Sequence, residues 1–289
     1  MKAMEKVLCL ALVLYLICGL AAGASASTFT DAHGNVIELD DSLEAYTEHV
    51  LYGADDAARK GETNLGDLWA DALRWFAVSG KINEFFEEDD VTAGNTAIDA
   101  EADHVVALWN GGNLRADVAE GKFGAEQLAE VLPYPNKVAV VYMTGAQLLE
   151  ALEAASQGLP YTEETAAACA SFMQVSGMKY TVDTAKEYEK GEAYGDNWFR
   201  AAAPGGRVTI EEVNGQPFDP EAVYAVITSN ANFNGMDSSY IFKEAAEANG
   251  KSTITTAVVR DVIWLYIAGE LNNVIGDAYA EAQGRITVR

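Results

Sequence analysis

The stretch from Val105 to Leu152 constrains the fold most, because it sets two short apolar runs against polar corners and a stretch of helical spacing. Val105–Leu108 is brief and β-branched at its start, so it reads as a buried strand. The run stops at Asn110-Gly111-Gly112-Asn113, where two glycines let the backbone turn and let a ligand approach closely. Arg115 follows Asn110 at a fixed offset. After a Tyr134-Pro135-Asn136 corner, a second strand over Val138–Met143 leads to Thr144. Thr144 and Gln147 form a capping-box pattern, and Leu148, Leu149 and Leu152 give the ensuing helix one apolar face. Polar corners on rigid apolar elements are where small ligands usually sit. By itself, a Gly-Gly pair after a strand needs no explanation beyond a turn.

The 289 residues are 49% hydrophobic, enough for a substantial core. The first 26 residues stand apart: Lys2 and Lys6 form a charged start, Val7–Leu20 a short apolar run, and Ala24-Ser25-Ala26 a small-residue cleavage signal. This is the pattern of a signal peptide, so a secreted or cell-envelope location is expected, with no stable membrane insertion after cleavage near Ala26. Cys9 and Cys18 leave with that segment, and Cys169 alone remains, so the mature chain forms no internal disulfide. The formal charge of −25 repels phosphate backbones and anionic lipid, which argues against nucleic-acid and membrane-surface partners. An anionic ligand must then be met by locally placed arginines.

Residues 27–58 read as a leader with a small hairpin around Gly34-Asn35. Asp31 and His33 have the spacing of a D-x-H metal motif, but companion histidine motifs are missing in a chain with three histidines, so a turn aspartate beside an exposed histidine is the better reading. Beyond Arg59, Asn64 is a good N-cap, and Leu65, Leu68, Trp69, Ala72, Leu73 and Phe76 form one stripe of a helix over Asn64–Val78. That stripe is core. Glu87-Glu88-Asp89-Asp90 lacks the ligand spacing of a calcium loop and reads as a solvated segment. Leu159–Ala168 reads as exposed, Phe172–Asp183 as paired strands, and Lys186–Gly206 as a loop that packs Trp198 and Phe199. Arg207–Val213 and Val223–Thr228 suggest a hairpin around Asn214-Gly215, Thr255–Leu271 a long helix, and Gly284–Val288 a closing strand. The expected fold class is α+β, a single layered domain of mixed β-sheets flanked by helices.

Three strings resemble one family. Asn110-Gly111-Gly112 with Arg115, then an aromatic between prolines with Asn136 beyond it, then a strand ending in Thr144-Gly145, is similar to the C-terminal substrate-binding domain of the 5'-nucleotidase / UDP-sugar hydrolase / 2',3'-cyclic phosphodiesterase family. Arg59 ahead of Glu62-x-Asn64-Leu65-Gly66 resembles the domain's opening signature, and Gln174-Val175-Ser176-Gly177 a further string. The resemblance covers residues 59–289. It implies a pocket in which Arg59 and Arg115 reach ribose and phosphate, Asn110 meets the base edge, Tyr134 stacks on the base, Asn136 keeps its place beside it, and Asp237 accepts ribose hydroxyls. The second stacking ring belongs at a position held here by Ala231, and Phe233, on the same side of an extended chain, is the candidate substitute.

In that family, a separate metallophosphoesterase domain carries two divalent metals and performs hydrolysis. The clustered Asp, His and Asn ligands of such a site are missing here, so no cofactor is expected in this chain and no phosphate-ester hydrolysis by it alone. Two readings follow. One is a stand-alone domain binding a nucleoside or nucleotide in extracellular nucleotide breakdown or salvage, with a separate metallophosphoesterase chain as a possible partner. The other is a secreted or cell-envelope interaction protein that kept the fold and lost the ligand. A self-sufficient hydrolase finds no support, since G-x-S-x-G, P-loop and HExxH strings are missing.

Overall fold

Strands buried on both faces read as unbroken apolar runs, and Val105–Trp109, Val138–Met143 and Tyr224–Ile227 are such runs. In the computed structural model the described residues are 26–30, 34–40, 44–54, 56–89, 98–99, 104–195 and 197–289. Along them come strands β1 (Ala26–Thr30), β2 (Val36–Asp40) and β3 (Ala45–Thr47), then helices α1 (Ala57–Lys60) and α2 (Asn64–Val78). Next are β4 (Val106–Asn110), β5 (Gly121–Phe123), α3 (Ala125–Val131), β6 (Lys137–Thr144) and α4 (Gly145–Ala155). Strands β7 (Met173–Ser176), β8 (Met178–Val182), β9 (Lys190–Tyr194), β10 (Trp198–Ala201), β11 (Val208–Val213), β12 (Gln216–Pro217) and β13 (Val223–Ser229) follow. The chain closes with α5 (Asn230–Phe233), α6 (Tyr240–Ala248), β14 (Thr253–Val258), α7 (Val259–Gly269), β15 (Val274–Ile275) and β16 (Ile286–Val288).

A five-stranded mixed sheet, ordered β14-β6-β13-β4-β7, forms the middle layer. Its β13 and β4 run parallel and its other neighbours antiparallel. Alternate side chains go to opposite faces. Ala107, Trp109, Val138, Val140, Tyr142, Ala225 and Ile227 pack under α2 and α7. Val106, Leu108, Val141, Met143, Tyr224 and Val226 pack under α4, α6 and a second sheet, β12-β11-β8-β16. Two cores therefore share one sheet, and the α+β expectation of mixed sheets flanked by helices is borne out.

The α2 stripe is buried as expected, but its cap is Thr63, whose Oγ1 accepts from Gly66 N at 3.0 Å. Asn64 does something else. Its side chain is buried and ties three segments together, donating to Val50 O and Tyr279 O (both 2.9 Å) and accepting from Tyr52 N. The segment before Arg59 is woven in further by β3, which pairs with β5 and β15. The Thr144–Gln147 capping box is present.

Four other expectations are corrected. Thr253–Val258 is strand, and the helix starts only at Val259; β-branched Thr253, Ile254, Thr255 and Thr256 favour the pleated backbone, where Thr255 Oγ1 donates to Val138 O. Within Lys186–Gly206, β9 and β10 form a hairpin. Asn214-Gly215 does turn a hairpin, but between β11 and the two-residue β12, while β13 belongs to the central sheet. Strands β7 and β8 are adjacent in sequence yet lie in different sheets. The pivot is Gly177 at φ +81°, where a Cβ would stand 2.5 Å from Arg74 Nε.

Residues 1–25 of the signal-peptide segment and the Asp31/His33 pair lie outside the described residues, and Ala26 opens β1. No helix among the described residues is long and apolar enough to cross a membrane. Cys169 is buried and unpaired.

The C-terminal strand is fastened to α2 by charge. Glu62 accepts from the backbone N–H of Arg285 and Ile286 at 2.9 and 3.0 Å. The Arg285 guanidinium donates to Asp71 at 2.8 Å and lies 3.7 Å from the fully buried Asp67. Burial, reinforced by the neighbouring Glu62 carboxylate and opposed by Arg285, pushes Asp67 up to about 8. A carboxyl raised on folding stabilises while it stays protonated. Stability is therefore full below about 4, the unfolded aspartate value, falls as pH rises, and levels off above about 8. Asp67→Asn is expected to remove much of that slope, measured as denaturation midpoints between pH 4 and 9.

Candidate functional site

Sheet topology brings the corners together. The carboxyl ends of the parallel pair β4 and β13 lie at one edge of the central sheet, at Asn110 and Ser229. Antiparallel β6 begins there, with Val138 opposite Ser229, and β7 begins there too, with Met173 opposite Asn110. The Tyr134-Pro135-Asn136 corner is pinned at the same edge: Lys137 N donates to Asn230 Oδ1 at 3.0 Å, and Asn136 O accepts from Val259 N at 2.8 Å. The carboxyl ends of parallel strands are a common location for ligand crevices.

Arg59 reaches this edge because of a close backbone approach. A Cβ on Gly111 would stand 1.9 Å from the carbonyl oxygen of Ala58, and one on Gly112 would stand 2.6 Å from that of Ala170. A turn and ligand access are the reasons the sequence suggests for these glycines; a 3-10 turn does run over Gly111–Asn113, and the glycines also admit α1 and the 3-10 turn Ala168–Ser171 against the corner. Gln174 completes the seat, its Nε2 donating to Ala58 O and Gly61 O at 2.9 and 2.8 Å and its Oε1 accepting from Thr63 N at 3.1 Å.

The seven expected residues fall into distinct environments. Asn110 is buried at the end of β4 and accepts from Asn113 Nδ2 at 3.0 Å. Arg115 is exposed; its backbone N–H donates to Val131 O, and its guanidinium makes no hydrogen bond among the described residues. Arg59 is largely covered, with Nε 3.0 Å from Asp56 Oδ1 and Nη1 donating to Ala166 O at 3.0 Å. Asp237 sits in a left-handed backbone, φ 55°, where burial raises its carboxyl and the fields of Arg59 and Arg115 pull it back. Tyr134 is 46% exposed and available for stacking, while Asn136 is half-buried.

Phe233 departs from the reasoning that singled it out. Residues 230–233 are a helical turn rather than extended chain, so positions 231 and 233 do not share a side, and the Phe233 ring packs against the second core. Ala231 has no aromatic stand-in at this turn.

Three participants escaped the sequence. Asp56 pairs with Arg59, Tyr161 Oη donates to Asp56 Oδ2 at 2.6 Å, and Gln174 seats the Arg59 turn. The Asp56–Arg59 spacing of three residues at a helix start was a usable signal. Tyr161 lay in a stretch with nothing to mark it, and Gln174 was visible as part of a string without a role.

Among the described residues, few potential metal ligands gather. Among the described residues, one group of three potential ligands has its atoms within 4.8 Å of one another: Glu48, His49 and Asp277, near the ends of β3 and β15. It contains one histidine, half-exposed and bonded to Asp277 at 2.9 Å, and no second cluster adjoins it to bridge two ions.

Residues 44–244 match the family described as the 5'-nucleotidase C-terminal domain. The chain is 29% identical over 206 residues, 70% of its own length, to the trifunctional nucleotide phosphoesterase protein YfkN of Bacillus subtilis, and covers 11% of that protein. It is 28% identical over 179 residues, 56% of its length, to the cell wall protein Lmo0130 of Listeria monocytogenes, covering 20% of it. Among solved structures, the 5'-nucleotidase precursor from Thermus thermophilus superposes with a TM-score of 0.59 at 27% identity, over 84% of this chain and 39% of that one. The chain therefore spans a minor part of each of these relatives.

If Gly111 and Gln174 seat Arg59, both are costly to change. Gly111→Ala forces backbone movement and should cost roughly 1–3 kcal/mol or more. Gln174→Ala leaves three backbone groups without partners and should cost on the order of 2–4 kcal/mol. Thermal and denaturant midpoints of the two variants check this; unchanged midpoints would show that the seat is dispensable.

Proposed function

Because the chain belongs to the 5'-nucleotidase C-terminal domain family, we propose that it binds a nucleoside or nucleotide at the sheet edge formed by Asn110, Tyr134, Asn136 and Asp237. What supports this reading is that the ends of β4 and β13, the Tyr134-Pro135-Asn136 corner and the Arg59 turn seated on Gly111 meet at one sheet edge of an acidic protein, with burial raising the Asp237 carboxyl against the pull of Arg59 and Arg115. An aspartate suits ribose hydroxyls, guanidinium suits ribose and phosphate oxygens, and an exposed tyrosine suits a base.

The protein acts outside the cytoplasm in nucleotide breakdown or salvage, a reading supported by the signal-like first 26 residues. It supplies the binding surface and not the hydrolytic centre, and a separate metallophosphoesterase chain is the partner that would use it. A second reading is favoured by Phe233: with its ring committed to the second core, one face of a bound base stays open, as in a protein that kept the fold and lost the ligand.

Calorimetry with adenosine, AMP and UMP separates the two. Weak binding is expected for the native chain. Arg115→Ala should reduce it by about tenfold or more, and Ala231→Phe should strengthen it by ~1–3 kcal/mol, the worth of one stacked ring. No heat with any ligand, even with the added ring, would leave the interaction-protein reading standing. The purified chain is also expected to release no phosphate from AMP with any divalent metal added; release that survived rigorous purification would overturn that expectation.

A further inference from the structure

The arginines of the site are not equivalent. Arg59 has its Nε engaged by Asp56 at 3.0 Å and its Nη1 by the Ala166 carbonyl at 3.0 Å, and its side chain is only 14% exposed. Asp56 is itself held, because Tyr161 Oη donates to its other carboxylate oxygen at 2.6 Å. The neighbouring Lys60 places its ammonium over the Tyr161 ring, 4.8 Å from the centroid. Asp56 also adopts a left-handed backbone, φ 60°, which aspartate and asparagine tolerate better than other non-glycine residues. The carboxylate is thus fixed against Arg59 from both the backbone and the side-chain end.

This arrangement changes what the site can accept. Arg59 is already ion-paired with Asp56, and the Asp237 carboxyl lies in the fields of Arg59 and Arg115, with Lys60 a further cation over the Tyr161 ring. A dianionic phosphate approaching Arg59 meets the Asp56 carboxylate on the same guanidinium, in a protein of formal charge −25. An uncharged ribose needs only a hydrogen-bond acceptor such as Asp237 and a flat ring surface such as Tyr134, and loses nothing to that repulsion.

We infer that the site favours the uncharged nucleoside over its phosphorylated forms, with Asp56 as the residue that sets the preference. The inference rests on the nucleoside reading above. The Asp56 carboxylate takes the Arg59 Nε, the Ala166 carbonyl takes Nη1, and Tyr161 holds the carboxylate there.

The test is calorimetry with adenosine, AMP and ADP on the native chain and on Asp56→Asn, which keeps the left-handed backbone and removes the charge. Native binding should be tightest for adenosine and weaken with each added phosphate, and raising the salt should narrow the gap. Asp56→Asn should tighten AMP by about tenfold, the worth of one charge-assisted hydrogen bond, and leave adenosine within about twofold. Tyr161→Phe, which frees Asp56 without removing it, should shift AMP in the same direction by less; thermal midpoints show whether each variant is folded. AMP binding tighter than adenosine in the native chain, or an Asp56→Asn change that moves both ligands alike or neither, would overturn the inference and leave nucleoside binding intact. No heat with adenosine or AMP in any of the three proteins would overturn the nucleoside reading itself, and this inference with it.

Discussion

The contact on which the site depends is the approach of Gly111 to the Ala58 carbonyl, closer than any side chain would permit. The place of Arg59 at the sheet edge follows from it. With α1 seated on the corner, Arg59 comes level with Asn110 at the end of β4, and Gln174 from the next strand takes up the backbone groups that this closeness would otherwise strand. Buried backbone polar groups need partners, so the glutamine is as much a condition of the approach as the glycine.

A second constraint sets where that edge lies. One sheet serves two cores, and its parallel pair ends where β6 and β7 begin, so corners from residues 110, 134, 172 and 230 are delivered to the same side. The fold contributes position, and the corner residues contribute chemistry. Charge is then tuned locally: burial raises the Asp237 carboxyl, two guanidiniums counter it, and one of these is already answered by Asp56.

How much of this was legible in the sequence follows from the range of each interaction. The α2 stripe, the Thr144 capping box and the β4 and β6 runs are local patterns, repeated within a few residues, and they were readable. The partition of β7 from β8 and of β11 from β13 was not, because adjacent strands look the same whether they pair with each other or with distant partners. Thr255 was placed in a helix because the apolar spacing beyond it is helical, while the β-branched run that keeps it extended is only four residues long. At the sheet edge, the family resemblance named Arg59, Asn110, Arg115 and Asp237, whereas the close backbone approach that Gly111 and Gly112 admit has no local signature. Positions 231 and 233 share a side only on an extended backbone, and a single helical turn sends the Phe233 ring elsewhere. Tyr161 carried no local mark, since its importance comes from a carboxylate 105 residues away in the chain.

The shared sheet also determines what the protein can lose without ceasing to be folded. A one-residue slip in β6 would exchange the ring and valines of one face for the smaller set of the other, and both layers would be damaged together. Neither layer can therefore melt or drift independently, and the strands are bound to a common evolutionary fate. The corner residues escape that bond. Ala231 sits past the end of β13, half-exposed and in neither core, so a change of side chain there leaves the packing of both cores in place. Recognition in such an architecture is free to decay or be retuned one residue at a time, while the scaffold that displays it stays unchanged.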